Sequence, residues 1–162
     1  MATTALGLVG TGGLVGFGSS IDGISALGGI IDLSGTLIEF PILDFAFSVP
    51  RAGTITSIAA FFSTTIALTL EATVTVTAQL YTSTAASGPT NTFIPIPGAS
   101  VDLSPSITGI VAFGTVLNGI TTGLSVSVSP QDRLLMVFTV SGTDITVITV
   151  VTGYASAGIT IN

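Results

Sequence analysis

The chain has 162 residues, of which 48% are hydrophobic and only 6% are charged, and this length suits a single domain. Eight acidic residues outnumber two basic ones, both Arg, and a net charge of −6 excludes nucleic-acid binding, which needs many cations on phosphates. Cys, His and Lys are absent, which excludes disulfides, thiol and imidazole catalysis, Schiff bases and Cys/His metal sites. We therefore expect a protein that is not an enzyme, with no catalytic residue, no cofactor and no metal site.

Residues 1–19 differ from the rest of the chain by their glycine content. The run from Gly7 to Gly12 is repeated almost unchanged from Gly13 to Gly18, so that glycine recurs at every third position. Collagen has the same period but needs many more triplets. Two interpretations stay open, namely a flexible Gly-rich lead-in and an extended arm that packs against other chains. The large apolar residues of such an arm are Leu8, Val9, Leu14, Val15 and Phe17.

The uncharged stretch from Ala52 to Leu70 is long enough to cross a bilayer as a helix. However, seven of its residues are Ser or Thr, and no basic cluster flanks it. Its apolar residues also continue beyond Glu71 in strict alternation, which is the period of a strand. We therefore expect no membrane span.

The segment from Ile66 to Tyr81 has the clearest strand pattern in the chain. Its Ile, Leu and Val residues alternate with Thr, Glu and Gln, which predicts one face on a core and one face in water. Shorter copies of this pattern end at Pro50 and at Pro130. Loops are predicted between the strands at Val49–Gly53, Ala86–Asn91, Pro95–Gly98, Leu117–Gly119, Thr122–Gly123 and Ser141–Asp144. Since no window shows a capped helical stripe, the fold class is all-β, a sandwich or barrel of roughly eight to ten strands.

Four further segments are apolar on both sides of the predicted strand: Ile55–Phe62, Ile107–Leu117, Leu134–Val140 and Ile145–Val151. A strand of this kind must be covered on both faces. One face can use the internal core, and the other must meet another layer or another subunit. The candidate residues for a subunit interface or core are Phe61, Phe62, Val111, Phe113, Leu135, Val137, Phe138 and Ile148.

Three strings carry a family resemblance: FAFSVPRAGTITSIAAFF at Phe45–Phe62, PQDRLLMVF at Pro130–Phe138, and VTGYASAGITIN at Val151–Asn162. With them the chain, from about Gly10 onward, resembles the C-terminal domain of BclB-type exosporium glycoproteins, which are collagen-like proteins of Bacillus and related spores. The resemblance implies an antiparallel jelly-roll sandwich over residues 20–162, similar to the C1q/tumour-necrosis-factor fold, that assembles as a homotrimer. Family members carry a long Gly-X-Y stalk, whereas this chain has at most four such triplets.

The resemblance also implies a structural role on the spore surface, in the exosporium or in a spore appendage. The implied partners are other copies of the chain and other exosporium proteins. Residues 1–19 could then couple successive trimers into a head-to-tail fibre. A second hypothesis is an adhesin-like head that binds host or carbohydrate ligands, and Tyr81 and Tyr154 are the only tyrosines available for it.

Overall fold

The computed structural model describes residues 2–3, 8–15, 20–25, 27–33, 45–87, 91–142 and 149–162. Within these ranges, twelve strands and two short 3-10 segments, Leu27–Gly29 and Ala85–Ser87, are formed. The all-β prediction is confirmed. The strands are β1 (Ala2–Thr3), β2 (Val9–Val15), β3 (Ser20–Ser25), β4 (Ile31–Asp32), β5 (Phe47–Ser48), β6 (Gly53–Thr64), β7 (Leu68–Ser83), β8 (Thr92–Asp102), β9 (Ile107–Val111), β10 (Val116–Val128), β11 (Arg133–Gly142) and β12 (Gly153–Ile161).

The strands form two antiparallel sheets that pack as a sandwich. The larger sheet has nine strands in the order β1-β2-β11-β7-β8-β4, with β3 beside β2, β5 beside β11 and β9 beside β7. The smaller sheet has three strands in the order β10-β6-β12. No helix in the described ranges has the length and apolar character needed to cross a membrane. The stretch 52–70 instead forms β6, a turn and the start of β7.

The alternation predicted for residues 66–81 is confirmed in β7. Val74, Val76 and Leu80 are buried between the sheets, whereas Glu71 and Thr73 are exposed. Phe138 of β11 lies on the same side of the core as these β7 residues, and β6 of the smaller sheet contributes to the facing side. The largest fully buried side chains of the core include Ile55, Ile58, Phe62 and Phe138, and burial of each stabilises the fold by about 1.5–3 kcal/mol.

Several predicted loops lie inside strands. Residues 95–98 belong to β8, and residues 117–119 and 122–123 belong to β10. The register of β8 against β7 shifts at this point, where Gly98 has a φ of +75° and the Gln79 side-chain amide donates to the Ile96 carbonyl at 2.8 Å. At Gly119 a side chain would meet the Asp102 carbonyl 2.8 Å away. These glycines therefore mark a bulge and a close approach of two strands, not strand ends.

At residues 107–117 the sequence predicts one strand and misses a turn. The structure has β9 and β10 there, separated by a turn in which the Thr115 amide donates to the Ala112 carbonyl at 3.3 Å. The buried Thr64 hydroxyl also donates to the Ala112 carbonyl, at 2.8 Å, and accepts from the Thr115 amide at 3.0 Å. A neighbouring strand therefore holds this turn. The predicted strand at 145–151 lies mostly outside the described residues.

A second apolar cluster lies on the other face of the larger sheet. Leu135 and Val137 of β11 and Tyr81 of β7 are buried there, on the side away from the smaller sheet. The N-terminal part of the same chain contributes to this cluster through Leu14, which is fully buried and pairs with Val137, and through Ile31, which is nearly so. Burial raises the pKa of the Tyr81 phenol because it disfavours the charged form. Both faces of the doubly apolar β11 are therefore buried within one protomer.

We expect Leu14→Ala to lower the free energy of unfolding by about 2–5 kcal/mol, because the substitution opens a cavity against β11. Leu8→Ala is the matched control, since Leu8 is 64% exposed, and its effect should stay within about 0.5 kcal/mol. Urea denaturation followed by circular dichroism measures both values. Equal effects of the two substitutions would show that residues 9–15 do not pack on β11 in solution.

Candidate self-association surface

The outward side of the smaller sheet is an apolar surface that no described residue covers. Phe61 of β6 faces outward between Asn118 of β10 and Ser156 of β12. The neighbouring rows of paired residues, read across β10, β6 and β12, consist of Val116, Ser63 and Tyr154 on one side of Phe61 and of Ile120, Ala59 and Gly158 on the other. We call this surface the outer face and define it by its apolar members Ala59, Phe61, Val116, Ile120 and Tyr154.

The large side chains of the outer face are substantially exposed. The exposed fraction rises from 40% for Phe61 to 45% for Val116, 67% for Ile120 and 75% for Tyr154. The remaining positions in these rows are Asn, Ser, Ala or Gly, and a row of three hydroxyl residues follows, in which Ser57 donates to the Thr160 hydroxyl at 2.9 Å. No charged side chain belongs to these four rows. An uncharged apolar patch of this kind is typical of a protein–protein interface.

Two charged side chains of the described residues, Asp132 and Arg133, make structural contacts away from the outer face. Asp132 is buried, and its carboxylate accepts from the amides of Ser129 at 2.7 Å and Ala85 at 2.9 Å. Arg133 donates to the Asn91 side chain at 2.9 Å and lies over the Phe93 ring. Among the described residues no group of three or more acidic side chains is close enough together to hold a metal ion. These contacts anchor loops to the larger sheet.

A cleft of about 440 Å³ opens on the side of the sandwich where β12 faces β2 and β3. Its walls are mainly apolar, and Asp22 is the charged residue among them. The Thr152 hydroxyl also lies here; it is buried and has no hydrogen-bond partner in the part of the chain that the structure describes. The apolar walls are formed by Leu14, Phe62, Phe138, Val151 and Ala155, with Gly13 and Gly153 between them.

The sequence-predicted interface residues fall into two groups. Phe62, Val111, Leu135, Val137 and Phe138 are buried within the protomer. Phe61 lies on the outer face, and Phe113 is exposed in the turn between β9 and β10. Ile148 lies outside the described residues. Since Phe138 belongs to the internal core, a charge placed there would test folding and not assembly.

The predicted arm residues are also placed differently from one another. Leu8 is exposed, whereas Leu14 is buried against the chain's own β11. Val9 and Val15 are the ends of β2, and Phe17 lies outside the described residues. A coupling role for residues 1–19 stays a prediction.

The sequence did not indicate Val116 and Ile120 as surface residues. In β10 they lie on the same side as the polar residues Asn118 and Thr122, so the sequence shows no continuous apolar face there. Only the pairing of β10 with β6 places them beside Phe61 and Ala59.

Comparison with known proteins shows similarity to a collagen-like protein. The chain is 31% identical over 131 residues to collagen-like protein 1 of Acanthamoeba polyphaga mimivirus. The match covers 80% of this chain but 13% of that protein, so the chain corresponds to a small segment of the relative. No family model matches the chain. No solved structure matches it significantly either.

We expect Thr152→Val to leave the free energy of unfolding unchanged or to raise it by up to about 1 kcal/mol, because it removes a buried hydroxyl that has no partner. The matched control is Thr64→Val, which removes a buried hydroxyl with two hydrogen bonds and should cost about 1–3 kcal/mol. Urea denaturation compares the two. A loss above 1 kcal/mol for Thr152→Val would show that the hydroxyl is bonded in solution.

Proposed function

We propose that the chain is a self-associating structural domain of a collagen-like protein. In this proposal it forms a homotrimer on the bacterial spore surface, where it contributes to the exosporium nap or to an appendage fibre. The uncovered and uncharged outer face carries the proposal. The family resemblance of the sequence supports the location, and the similarity to a segment of a collagen-like protein supports the structural role.

The outer face suits a contact between copies because it is what the protomer leaves uncovered. The other side of the larger sheet holds a buried cluster, to which the N-terminal part of the chain contributes Leu14 and Ile31. The outer side of the smaller sheet has no equivalent buried cluster among the described residues, and its exposed side chains include Phe61 and Ile120. Burying them against other copies would remove apolar surface from water without burying any charge.

The collagen-like context supports a number of three copies. A collagen triple helix contains three chains, so a domain carried by such a chain is presented in threes. Three outer faces that meet around an axis would cover one another, as in other closed symmetric oligomers. Coupling of successive trimers through residues 1–19 belongs to the same proposal, and among the described residues of that segment Leu8 is exposed. No catalytic activity is proposed, because the sequence lacks Cys, His and Lys.

A second candidate function is ligand binding by an adhesin-like head. Tyr154 favours it, because this ring is 75% exposed beside the hydroxyl residues Ser63 and Ser156. Aromatic rings next to hydroxyl groups suit contact with carbohydrates. Tyr81 does not contribute, since it is buried in the second cluster. Glycan-array signals that are present for the wild type and lost in Tyr154→Ala would support this function, and an array without signals would count against it.

The trimer is tested by size-exclusion chromatography with light scattering. We expect a mass of at least three times 16.1 kDa for the wild type and the loss of every species of that size for Ile120→Lys, because the ammonium group would have to be buried in the interface. The matched control is Ile110→Lys, since Ile110 is 88% exposed on β9 and lies away from the outer face. A wild type that remains a single chain at all concentrations would refute the trimer. Dissociation of both variants would refute the assignment to the outer face.

A further inference from the structure

The two edges of the smaller sheet differ in their hydrogen bonding. At the β10 edge, the Ser104 amide donates to the Asn118 carbonyl at 2.9 Å, and the Asn118 amide donates to the Ser104 carbonyl at 3.0 Å. These two bonds join β10 to the segment after β8. At β12, the strand pairs with β6 on one edge, and no described strand pairs with the other. β12 also contains no charged residue and no Pro, which are common protections of an exposed edge. The β12 edge is therefore open to another strand.

The direction of the backbone groups on β12 follows from its ladder with β6. The Thr65 amide donates to the Thr152 carbonyl before the strand, and Thr54 and Asn162 exchange two bonds after it. Because antiparallel pairs alternate between bonded and non-bonded positions, the even-numbered residues of β12 are bonded to β6. The odd-numbered residues direct their N–H and C=O groups to the open edge. They are Gly153, Ala155, Ala157, Ile159 and Ile161.

We propose that the open edge of β12 pairs with β12 of a second copy, antiparallel and around a twofold axis at Ala157. The odd-numbered residues are distributed symmetrically about Ala157, so each of them meets an odd-numbered residue of the partner. The three central pairs, which involve Ala155, Ala157 and Ile159, form about six main-chain hydrogen bonds. The Ile161 carbonyl lies 3.4 Å from the Arg51 guanidinium, so the outermost pairs contribute less.

The side chains of β12 also match this register. Gly153 and Ala155 lie opposite the partner's Ile161 and the partner's Ile159, so that a small residue meets a large one in each pair. Both small residues line the mainly apolar cleft between β12 and β2. The partner's isoleucines therefore lie opposite residues of this cleft. Since β12 has no charged side chain, pairing with an identical strand brings no like charges together.

This contact goes beyond the proposed trimer because it uses an edge and not the outer face. It joins two three-stranded sheets into one of six strands. A molecule with both contacts is linked to copies in two directions, and trimers connected in this way form an extended assembly.

A single cysteine tests the identity and register of the partner strand. In the proposed pairing, position 157 lies opposite itself with Cα atoms about 5.5 Å apart, within the range of a disulfide. Ala157→Cys should therefore form disulfide-linked dimers under mild oxidation, in a chain that has no other cysteine. Thr160→Cys is the control, since the two copies of position 160 are about 20 Å apart along the strands. Ala157→Cys that remains monomeric on a non-reducing gel, or equal cross-linking of both variants, would overturn the proposal.

A proline at the same position tests whether the edge causes association. Ala157→Pro removes an N–H that makes no bond to β6, so the fold is retained, whereas Ala157→Ser keeps the N–H as the control. In the Ile120→Lys background, light scattering should detect dimers. Ala157→Ser should leave the dissociation constant of this dimer unchanged, and Ala157→Pro should raise it at least tenfold. If the wild type forms trimers but the Ile120→Lys background forms no dimers, the edge contact is refuted and the proposed trimer is not.

Hydrogen exchange on the unaltered chain supplies a measurement that does not depend on a variant. If β12 pairs with a second copy, the amides of Ala155, Ala157 and Ile159 are protected at high protein concentration and exchange rapidly on dilution. Rapid exchange of these three amides at every concentration would contradict the pairing.

Discussion

Strand β11 is apolar on both faces, and the rest of the structure depends on covering it twice. Phe138 enters the core between the sheets, while the preceding Val137 is buried in the second cluster on the opposite side of the larger sheet. A nine-stranded sheet with an apolar strand at its centre cannot leave either side in water without exposing a large apolar surface. The smaller sheet covers one side. On the other side Val137 is buried in a cluster with residues of the N-terminal part of the chain, among them Leu14, its partner on the neighbouring strand β2.

This arrangement accounts for the surface that remains. The N-terminal strands belong to the larger sheet, whereas the outer face of β10, β6 and β12 keeps large apolar side chains exposed. Its rows contain no charged residue, although a net charge of −6 is carried elsewhere on the chain. The charges that the structure describes anchor loops, as Asp132 does, or lie in exposed positions such as Glu71. This separation leaves one side of the protomer suited to contact with other copies.

The similarity to part of a viral collagen-like protein fits a domain that accompanies collagen-like chains. A domain in that position needs little side-chain chemistry of its own. It needs a stable fold, a surface that brings copies together and, for an extended assembly, a second contact that does not compete with the first. The outer face and the β12 edge belong to the same small sheet but use different groups, since side chains form one and main-chain hydrogen bonds the other.

Much of the fold could be predicted from local pattern. The alternation over residues 66–81 predicted β7 and its buried face, and the doubly apolar segment Leu134–Val140 predicted a strand covered on both sides. Glycine was less reliable as a signal. Gly98 and Gly119 lie within strands, because a bulge and a close strand approach need the same residue that a turn needs. The prediction of one continuous strand over residues 107–117 was also wrong. The turn in this segment is held by hydrogen bonds from Thr64 and not by local turn residues alone.

The sequence by itself determined the period of the strands, the lack of reactive side chains and the excess of apolar surface. Only the tertiary structure decided which apolar face is covered by which part of the chain. Leu14 packs beside Val137 of β11 from the far end of the sequence, and Val116 and Ile120 become neighbours of Phe61 only through the pairing of β10 with β6. The physical reason is that periodicity reports which side of a strand avoids water. It carries no information on the distant residues that pack against that side.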